Sequence, residues 1–212
     1  MYRVVVIQFI TLDGVTQDPD GAEGTPTGGW AFRSGPQAVA GDKFKLGELM
    51  DTGTMLLGRR TWEKFARIWP ARSDEFSTKM NRMRKLVAST SLQRVDTWAN
   101  SELLHGDFVD QVRTRKADRD LIVAGSDSLV RLLIEEDLVD EYRLLTFPIV
   151  VGEGRRLFRE GTPPVDLRLV DVERSGEAVL VTYRREPSAA AEKKHAGAVD
   201  SQESRSTSHE RI

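Results

Sequence analysis

The sequence contains no cysteine, and that absence removes disulfides, thiolate nucleophiles and cysteine-ligated zinc. Histidine is almost as scarce. His105, His195 and His209 are the only three, and two of them fall in a polar C-terminal stretch, so a histidine-rich metal site is not expected. No apolar run approaches the roughly 20 residues that span a bilayer, and the start, Met1-Tyr2-Arg3-Val4-Val5-Val6-Ile7, lacks the charged, then long apolar pattern of a secretory signal. An excess of one charge is missing too: 31 Lys and Arg stand against 33 Asp and Glu, which gives no global basic field for nucleic acid or an anionic membrane. The Gly-x-Gly-x-x-Gly dinucleotide fingerprint is also absent. What remains is a chain of 212 residues, long enough for one substantial core and expected to be soluble and cytoplasmic.

The apolar patterning predicts an alternation of strands and helices. Val4 to Ile10 is β-branched and almost continuously apolar, as in a strand buried on both faces. It runs into Thr11-Leu12-Asp13-Gly14, where Asp13 and Gly14 supply turn chemistry. Residues 18–35, rich in Gly, Pro, Asp and Thr, read as a long loop. Such loops often serve as lids, and the aromatics Trp30 and Phe32 equally suit pinning the loop to the core. From Ala38 to Asp51 the grouping of Phe44, Leu46, Leu49 and Met50 predicts a helix, with Asp42 near its start, where a carboxylate caps free N–H groups. Short strands are expected at 55–57, 86–88, 121–124 and 144–151. Helices are expected from Arg59 to the break at Pro70, over 73–84, 106–115 and 129–136. A hairpin follows over 167–172 and 179–183, turning at Ser175-Gly176-Glu177. From Pro187 onward the chain loses its apolar anchors and reads as a disordered tail over 187–212. The order gives an α/β domain over 1–186, with a mostly parallel sheet made mixed by its C-terminal antiparallel hairpin.

Two strand–glycine–helix junctions carry the chemical signal. In Leu57-Gly58-Arg59-Arg60-Thr61 the glycine permits close backbone approach. The helix start offers unpaired N–H groups, and the arginines add planar forks that match phosphate geometry. Glycine also ends many strands, and paired arginines are common on solvated surfaces. Leu121 to Ala124, then Gly125-Ser126-Asp127-Ser128 and the helix containing Leu129, repeats the arrangement. Ser89-Thr90-Ser91 lies past a third strand, where hydroxyls suit a ribose or phosphate as well as an ordinary turn.

Gly58-Arg59-Arg60-Thr61-Trp62-Glu63 resembles the segment of dihydrofolate reductases in which Gly-Arg-x-Thr-Trp-Glu seats the phosphates of NADPH. Leu12-Asp13-Gly14, the turn Leu138-Val139-Asp140-Glu141, and Pro148, Gly152, Gly154, Leu157 and Phe158 resemble the reductase domain of bacterial riboflavin biosynthesis. Over about residues 1–186 the resemblance implies a dihydrofolate-reductase-like three-layer fold with helices on both faces. It implies NADPH as cofactor, a heterocyclic substrate of pyrimidine or pterin type, and a homodimer. By the same resemblance Gly58, Arg59, Arg60 and Thr61 hold phosphate, Ser89, Thr90 and Ser91 meet the adenosine end, and Gly125, Ser126, Ser128 and Leu129 meet the pyrophosphate. Gly14, Trp30 and Phe65 border the substrate. The interval from Asp42 to Gly58 equals that between the active-site acid and the phosphate-turn glycine of dihydrofolate reductases. Asp42 is therefore the candidate acid, with Thr146 beside it and Asp13 at the turn bordering the active site. Asp127 stands where a glycine is usual, so its side chain is expected to point away from phosphate. No deaminase-type zinc motif is present, so the bifunctional form of the riboflavin enzyme is not expected. A pterin or folate reductase, a non-catalytic ligand-binding protein on the same fold, and a nucleic-acid module using Arg82, Arg84 and Lys85 are the alternatives, the last disfavoured by the charge balance.

Overall fold

A computed structural model describes residues 2–186; the stretch 187–212, expected to form a tail, lies outside the described residues. The first strand, β1 (Val4–Thr11), occupies the middle of an eight-stranded sheet with strand order β4-β3-β2-β5-β1-β6-β8-β7. The others are β2 (Thr54–Gly58), β3 (Arg84–Ala88), β4 (Ser101–Leu103), β5 (Leu121–Val123), β6 (Glu141–Phe147), β7 (Leu167–Ser175) and β8 (Ala178–Arg185). All pairings from β4 to β6 are parallel, and β8 then pairs antiparallel with both β6 and β7. The expected mixed sheet is therefore present.

β1 is central because it is apolar on both sides. Val4, Val6 and Ile10 pack into one layer with α4 (Phe108–Lys116) and α5 (Asp127–Glu135). Val5 and Ile7 pack into the other with α1 (Leu49–Thr52), α2 (Arg59–Ile68) and α3 (Glu75–Arg82). Asp74 and Asp107 cap α3 and α4 by accepting from Ser77 N and Asp110 N.

The helix expected over 38–51 forms only at its end, as α1 (Leu49–Thr52). Gly41, Lys45 and Gly47 have φ of 71°, 50° and 51°, in the left-handed region that interrupts a right-handed helix. The Asp42 carboxylate instead accepts from Leu46 N at 2.8 Å and Gly47 N at 2.9 Å and closes a local turn. Leu46, Leu49 and Met50 still bury in one layer, Leu46 from the turn and the other two from the short α1. One strand, β4, was not expected, and β6 spans Glu141–Phe147 where 144–151 was expected. β4 is short and polar, with no apolar alternation to mark it, and β6 begins at Glu141 because that carboxylate is neutralised inside the protein.

Glu141 is fully buried. It accepts from Arg3 at 2.5 Å, Arg143 at 2.9 Å and Arg184 at 2.8 Å, which ties β1, β6 and β8 together. Burial alone would raise its pKa, but hydrogen bonds from Arg184 and Arg143 outweigh burial and hold it below the ordinary carboxylate value. Arg143 also donates to the carbonyls of Phe44 and Lys45, which anchors the turn carrying Asp42. Lys85, equally buried, donates to the carbonyls of Asn81 at 2.7 Å and Ala99 at 3.0 Å and lies 4.2 Å from the Trp98 ring centroid. Arg84 pairs with Glu102. The suggested nucleic-acid face of Arg82, Arg84 and Lys85 is thereby dismantled, since its lysine is inside the core.

Glu141→Gln removes the charge that all three guanidinium groups share. We expect a loss of about 3 kcal/mol in urea unfolding, near the low end for a broken buried pair because Arg3 and Arg184 retain access to water. Burial lowers the Lys85 pKa to about 8, so between there and the ordinary lysine value the unfolded chain binds the extra proton. Stability should rise across that alkaline window, and the rise should vanish in Lys85→Met; a Lys85→Met protein with the same slope would assign it to another group.

Candidate functional site

β5 enters the sheet between β2 and β1, so the carboxyl ends of β2 and β5 lie side by side, in register from Thr54↔Leu121 to Leu56↔Val123. Beyond them the chain departs in opposite directions. α2 follows β2 into the layer that buries Trp62, while α5 follows β5 into the layer that buries Leu129, Val130 and Leu133. That divergence opens a crevice at a topological switch point, the place where open α/β sheets bind ligands.

The two backbones touch in the crevice. Gly58 N donates to Gly125 O at 2.9 Å. A Cβ on Gly58 would lie 2.3 Å from Ser126 Oγ and 2.9 Å from Ser126 N, and one on Gly125, whose φ is 124°, would lie 2.9 Å from Thr61 Oγ1. Only glycine fits at either position. The bond between Gly125 and Ser126 is cis. No side chain caps the first turn of α2 or α5. In α5 the first helical bond runs from Val130 N to Ser126 O, which leaves the N–H groups of Asp127, Ser128 and Leu129 at the open end. Ser126 Oγ and Ser128 Oγ are 3.0 Å apart.

β3 brings the third segment alongside, with Gly58 opposite Ala88. Arg59 donates to Ser91 Oγ and to Glu63, both at 2.8 Å, and Ser89 Oγ accepts from Ser91 N at 3.2 Å and Leu92 N at 3.0 Å. Arg60 and Thr90 are exposed. The segments around Gly58–Thr61, Ser89–Ser91 and Gly125–Leu129 thus converge on one sheet edge. Backbone donors, hydroxyls and the Arg59 guanidinium meet there, with Arg60 exposed at the next position, a donor set suited to an elongated anion carrying several phosphates.

Other expected residues stand elsewhere. Trp30 is buried, packs edge-on against Phe147 at 5.6 Å between ring centroids and donates from Nε1 to Gln17 O at 2.8 Å; it pins the loop and presents no face to a ligand. Phe65, half-buried, packs edge-on against Trp69 and Trp98 in the α2–α3 layer. Leu129 is buried, so it can offer a ligand only its amide. Gly14, with φ of 82°, shapes the turn after β1, and its carbonyl accepts from Leu157 N at 3.0 Å.

Among the catalytic candidates, Asp13 is a bracket. Its carboxylate accepts from Thr11 Oγ1 at 2.6 Å, Gly152 N at 2.9 Å and Val151 N at 3.3 Å, with Arg156 at 3.6 Å. The Thr11 hydroxyl is the main cause that holds its pKa below the ordinary value, against some desolvation. An acid kept ionised in this way does not donate a proton near neutrality. Thr146 is not beside Asp42. It lies in register with Ile10, on the α5 side of the sheet, whereas the Asp42 turn stacks Phe44 on Phe9 at 5.2 Å on the other side.

Two residues that the sequence did not flag organise the site. Arg155 donates to Asp127 Oδ2 at 2.8 Å and to both oxygens of Glu23. Burial lowers its pKa, but the bonds to Glu23 and Asp127 prevail and raise it. The Asp127 carboxylate is therefore engaged sideways and neutralised, as the phosphate reading of the α5 start requires. Asp18, 3% exposed, accepts from Glu23 N at 2.8 Å and from Thr25 N and Oγ1 at 2.9 Å and 2.8 Å. With Asp20 paired to Lys64, the long loop is anchored at several points. The clues were a carboxylate at a helix start that needs a cation, and an aspartate inside a glycine-rich loop.

Residues 3–181 match the family model of the RibD C-terminal domain. The chain belongs to that family. The RibD C-terminal domain of this chain is 26% identical, over 185 residues, to a Bacillus subtilis (strain 168) protein named only as uncharacterized protein YyaP, covering 84% of this chain and 92% of that one. Its fold is similar to that of a riboflavin biosynthesis protein from Shewanella sp. PV-4, with TM-score 0.67 and 21% identity over 87% and 99% of the two chains. A Thermotoga maritima diaminohydroxyphosphoribosylaminopyrimidine deaminase/5-amino-6-(5-phosphoribosylamino)uracil reductase gives TM-score 0.56 and 19% identity over 87% of this chain and 57% of that one. Enterococcus faecalis dihydrofolate reductase complexed with NADP(H) gives 0.51 and 13% over 87% and 97%. The dihydrofolate-reductase-like fold is thereby shown.

Gly58→Ala drives a methyl group into Ser126. We expect a loss of about 1–3 kcal/mol in chemical unfolding, as for overpacking, together with shifted amide resonances at Gly125 and Ser126. Unchanged stability and unchanged resonances would mean that the two backbones are not in contact.

Proposed function

We propose that this chain is an NADPH-dependent reductase of the riboflavin-biosynthesis type, acting on a flat, nitrogen-rich heterocycle of pyrimidine or pterin kind. The observation that carries this reading is the crevice between the starts of α2 and α5, where Gly58 and Gly125 admit no side chain and donors from three segments face one edge. A bound NADPH would supply a hydride to a C=N or C=O carbon, with a proton taken up at the neighbouring atom. The chain's own task is binding and orientation. Arg60 and Arg59, the latter exchanging its bond to Glu63, would hold phosphate near the adenosine end beside Ser89, Thr90 and Ser91. Thr61 and the N–H groups of Asp127, Ser128 and Leu129 would hold the pyrophosphate, with Arg155 keeping the Asp127 carboxylate occupied. No proton transfer is assigned to Asp13, which is held ionised. The Asp42 carboxylate accepts from Leu46 N and Gly47 N, and no proton transfer is assigned to it.

The ribosylaminopyrimidine reaction is preferred over pterin reduction because the family match spans nearly all of the described chain and because a structural neighbour is named as a 5-amino-6-(5-phosphoribosylamino)uracil reductase. We take the assembly to be a cytoplasmic homodimer; a monomeric mass in sedimentation would remove that part of the proposal. No helix among the described residues is long and apolar enough to cross a membrane.

The test is a fluorescence titration with NADPH and with NADH, followed by turnover assays on pyrimidine and pterin substrates. NADPH should bind more tightly than NADH. Arg59→Ala combined with Arg60→Ala should weaken NADPH by about one to two orders of magnitude, the range for lost charge-assisted hydrogen bonds, and affect NADH much less. Binding without turnover on either substrate class would favour the non-catalytic alternative. Failure to bind either cofactor would sink the reductase reading, since a shared fold alone implies no activity.

A further inference from the structure

At the amino ends of β2, β3 and β5, the end of the sheet opposite the crevice, a cavity of about 40 Å³ lies beside the end of α4. Thr54 opens β2 in register with Arg84 on β3 and Leu121 on β5, so the three side chains share one face of the sheet. That face buries Leu86 and Leu121 in the α4 layer, and both leucines line the cavity with Thr54. Thr54 is 2% exposed, and its Oγ1 is buried with no hydrogen-bond partner among the described residues. A buried hydroxyl without a partner is costly and calls for an explanation. The walls around it are donors. Arg84 and Arg115 each use one nitrogen, Nη2, on Glu102, at its two different oxygens. Arg119, half-buried, lines the same cavity and makes no ion pair or side-chain hydrogen bond among the described residues. Asp118 stands at the exposed rim, likewise without an ion pair among them. Three guanidinium groups thus face the carboxylates of Glu102 and Asp118, and one positive charge is left over.

We infer that this cavity is a binding site for a small monovalent anion of halide size, remote from the crevice and independent of the proposed reductase activity. The surplus of one charge is what a monoanion cancels. The volume is a few times the roughly 10–15 Å³ that admits a single water, and it is too small for a nucleotide or a sugar phosphate. The chemistry of the lining separates an anion from a water. A water must direct two O–H groups at acceptors, and the lining offers only Thr54 Oγ1 at the floor and Asp118 at the rim. A halide donates nothing. It accepts the Thr54 hydroxyl and guanidinium N–H groups together, and those charge-assisted bonds are the stronger kind. An anion held there bridges the starts of β2, β3 and β5 to the end of α4. Because the unfolded chain lacks that arrangement, stability should rise with anion concentration.

The test is a titration of the full chain with sodium chloride, followed by the chloride NMR linewidth, with sodium gluconate holding the ionic strength constant. Saturable broadening that bromide competes away is expected. Binding should weaken at least about tenfold in Arg119→Gln, the loss of one charge-assisted contact. A clear loss is also expected in Thr54→Val, which removes the hydroxyl at nearly constant volume, and none in Arg168→Gln on the distant β7. In urea unfolding, the midpoint of the native sequence should rise when chloride replaces gluconate, and that rise should be absent in Arg119→Gln. Saturation with NADP+ should leave the broadening in place. Absence of saturable broadening would leave Thr54 Oγ1 to a water and overturn the inference. Undiminished broadening in both Arg119→Gln and Thr54→Val, or its loss on addition of NADP+, would place the halide elsewhere and overturn it as well. Chloride binding requires neither cofactor nor turnover, so its failure and that of the reductase reading are separable.

Discussion

The structure depends on the insertion of β5 between β2 and β1. Two parallel strands that meet as neighbours, but continue into helices in opposite layers, must separate at their carboxyl ends, and the chain closes part of that gap with backbone instead of side chains. Gly58 N reaches Gly125 O, Ser126 fills the space a Cβ on Gly58 would need, and Thr61 fills the space a Cβ on Gly125 would need. Each glycine is required because the opposite strand's residue leans on it. The close approach also sets the two helix starts side by side, so that their free amides address one volume. Fold and candidate site rest on the same contact.

Charge is handled locally throughout. With near-zero net charge the protein has no overall field to draw an anion, yet it holds carboxylates in places that arginines must neutralise. Glu141 lies inside the sheet under three guanidinium groups, and through Arg143 its pairing extends to the turn that Asp42 closes. Asp127 stands at a helix start under Arg155, which through Glu23 also braces the long loop. Removal of Glu141 would leave three cations facing one another, whereas removal of Asp127 would leave Arg155 with Glu23 alone.

Much of the fold was legible because the central strands are so uniformly apolar. Val4 to Ile10 and Leu121 to Val123 are buried on both sides, and their composition alone announces that. The junctions after β2 and β5 were legible too, since strand, glycine and helix succeed one another within a few residues. The stretch over 38–51 was not. Its apolar residues are buried at helical spacing, but Gly41 and Gly47 turn left-handed and Asp42 caps a turn, and hydrophobic periodicity cannot register backbone handedness. Contacts across long sequence intervals were equally hidden. Asp13 reads as a turn residue until Gly152 N, far along the chain, is seen to donate to it. Thr146 reads as a neighbour of Asp42 until strand register places it on the other face.

The same geometry explains why Ser126 and Asp127 are compatible with the proposed phosphate seat, where the resemblance to dihydrofolate reductases implies further glycine. The steric demand at the crevice falls on Gly58 and Gly125, the two positions at which a Cβ would meet the opposing segment. Past Gly125 the donors are backbone N–H groups, which every non-proline residue supplies. A side chain there need only avoid the ligand. Ser126 does so by packing against the bare Cα of Gly58, and Asp127 by pairing with Arg155. Further glycine is one solution to close approach. A serine that fills its neighbour's vacancy and an aspartate with a dedicated arginine are another, and the second leaves the α5 start with its amides free and its one carboxylate already engaged.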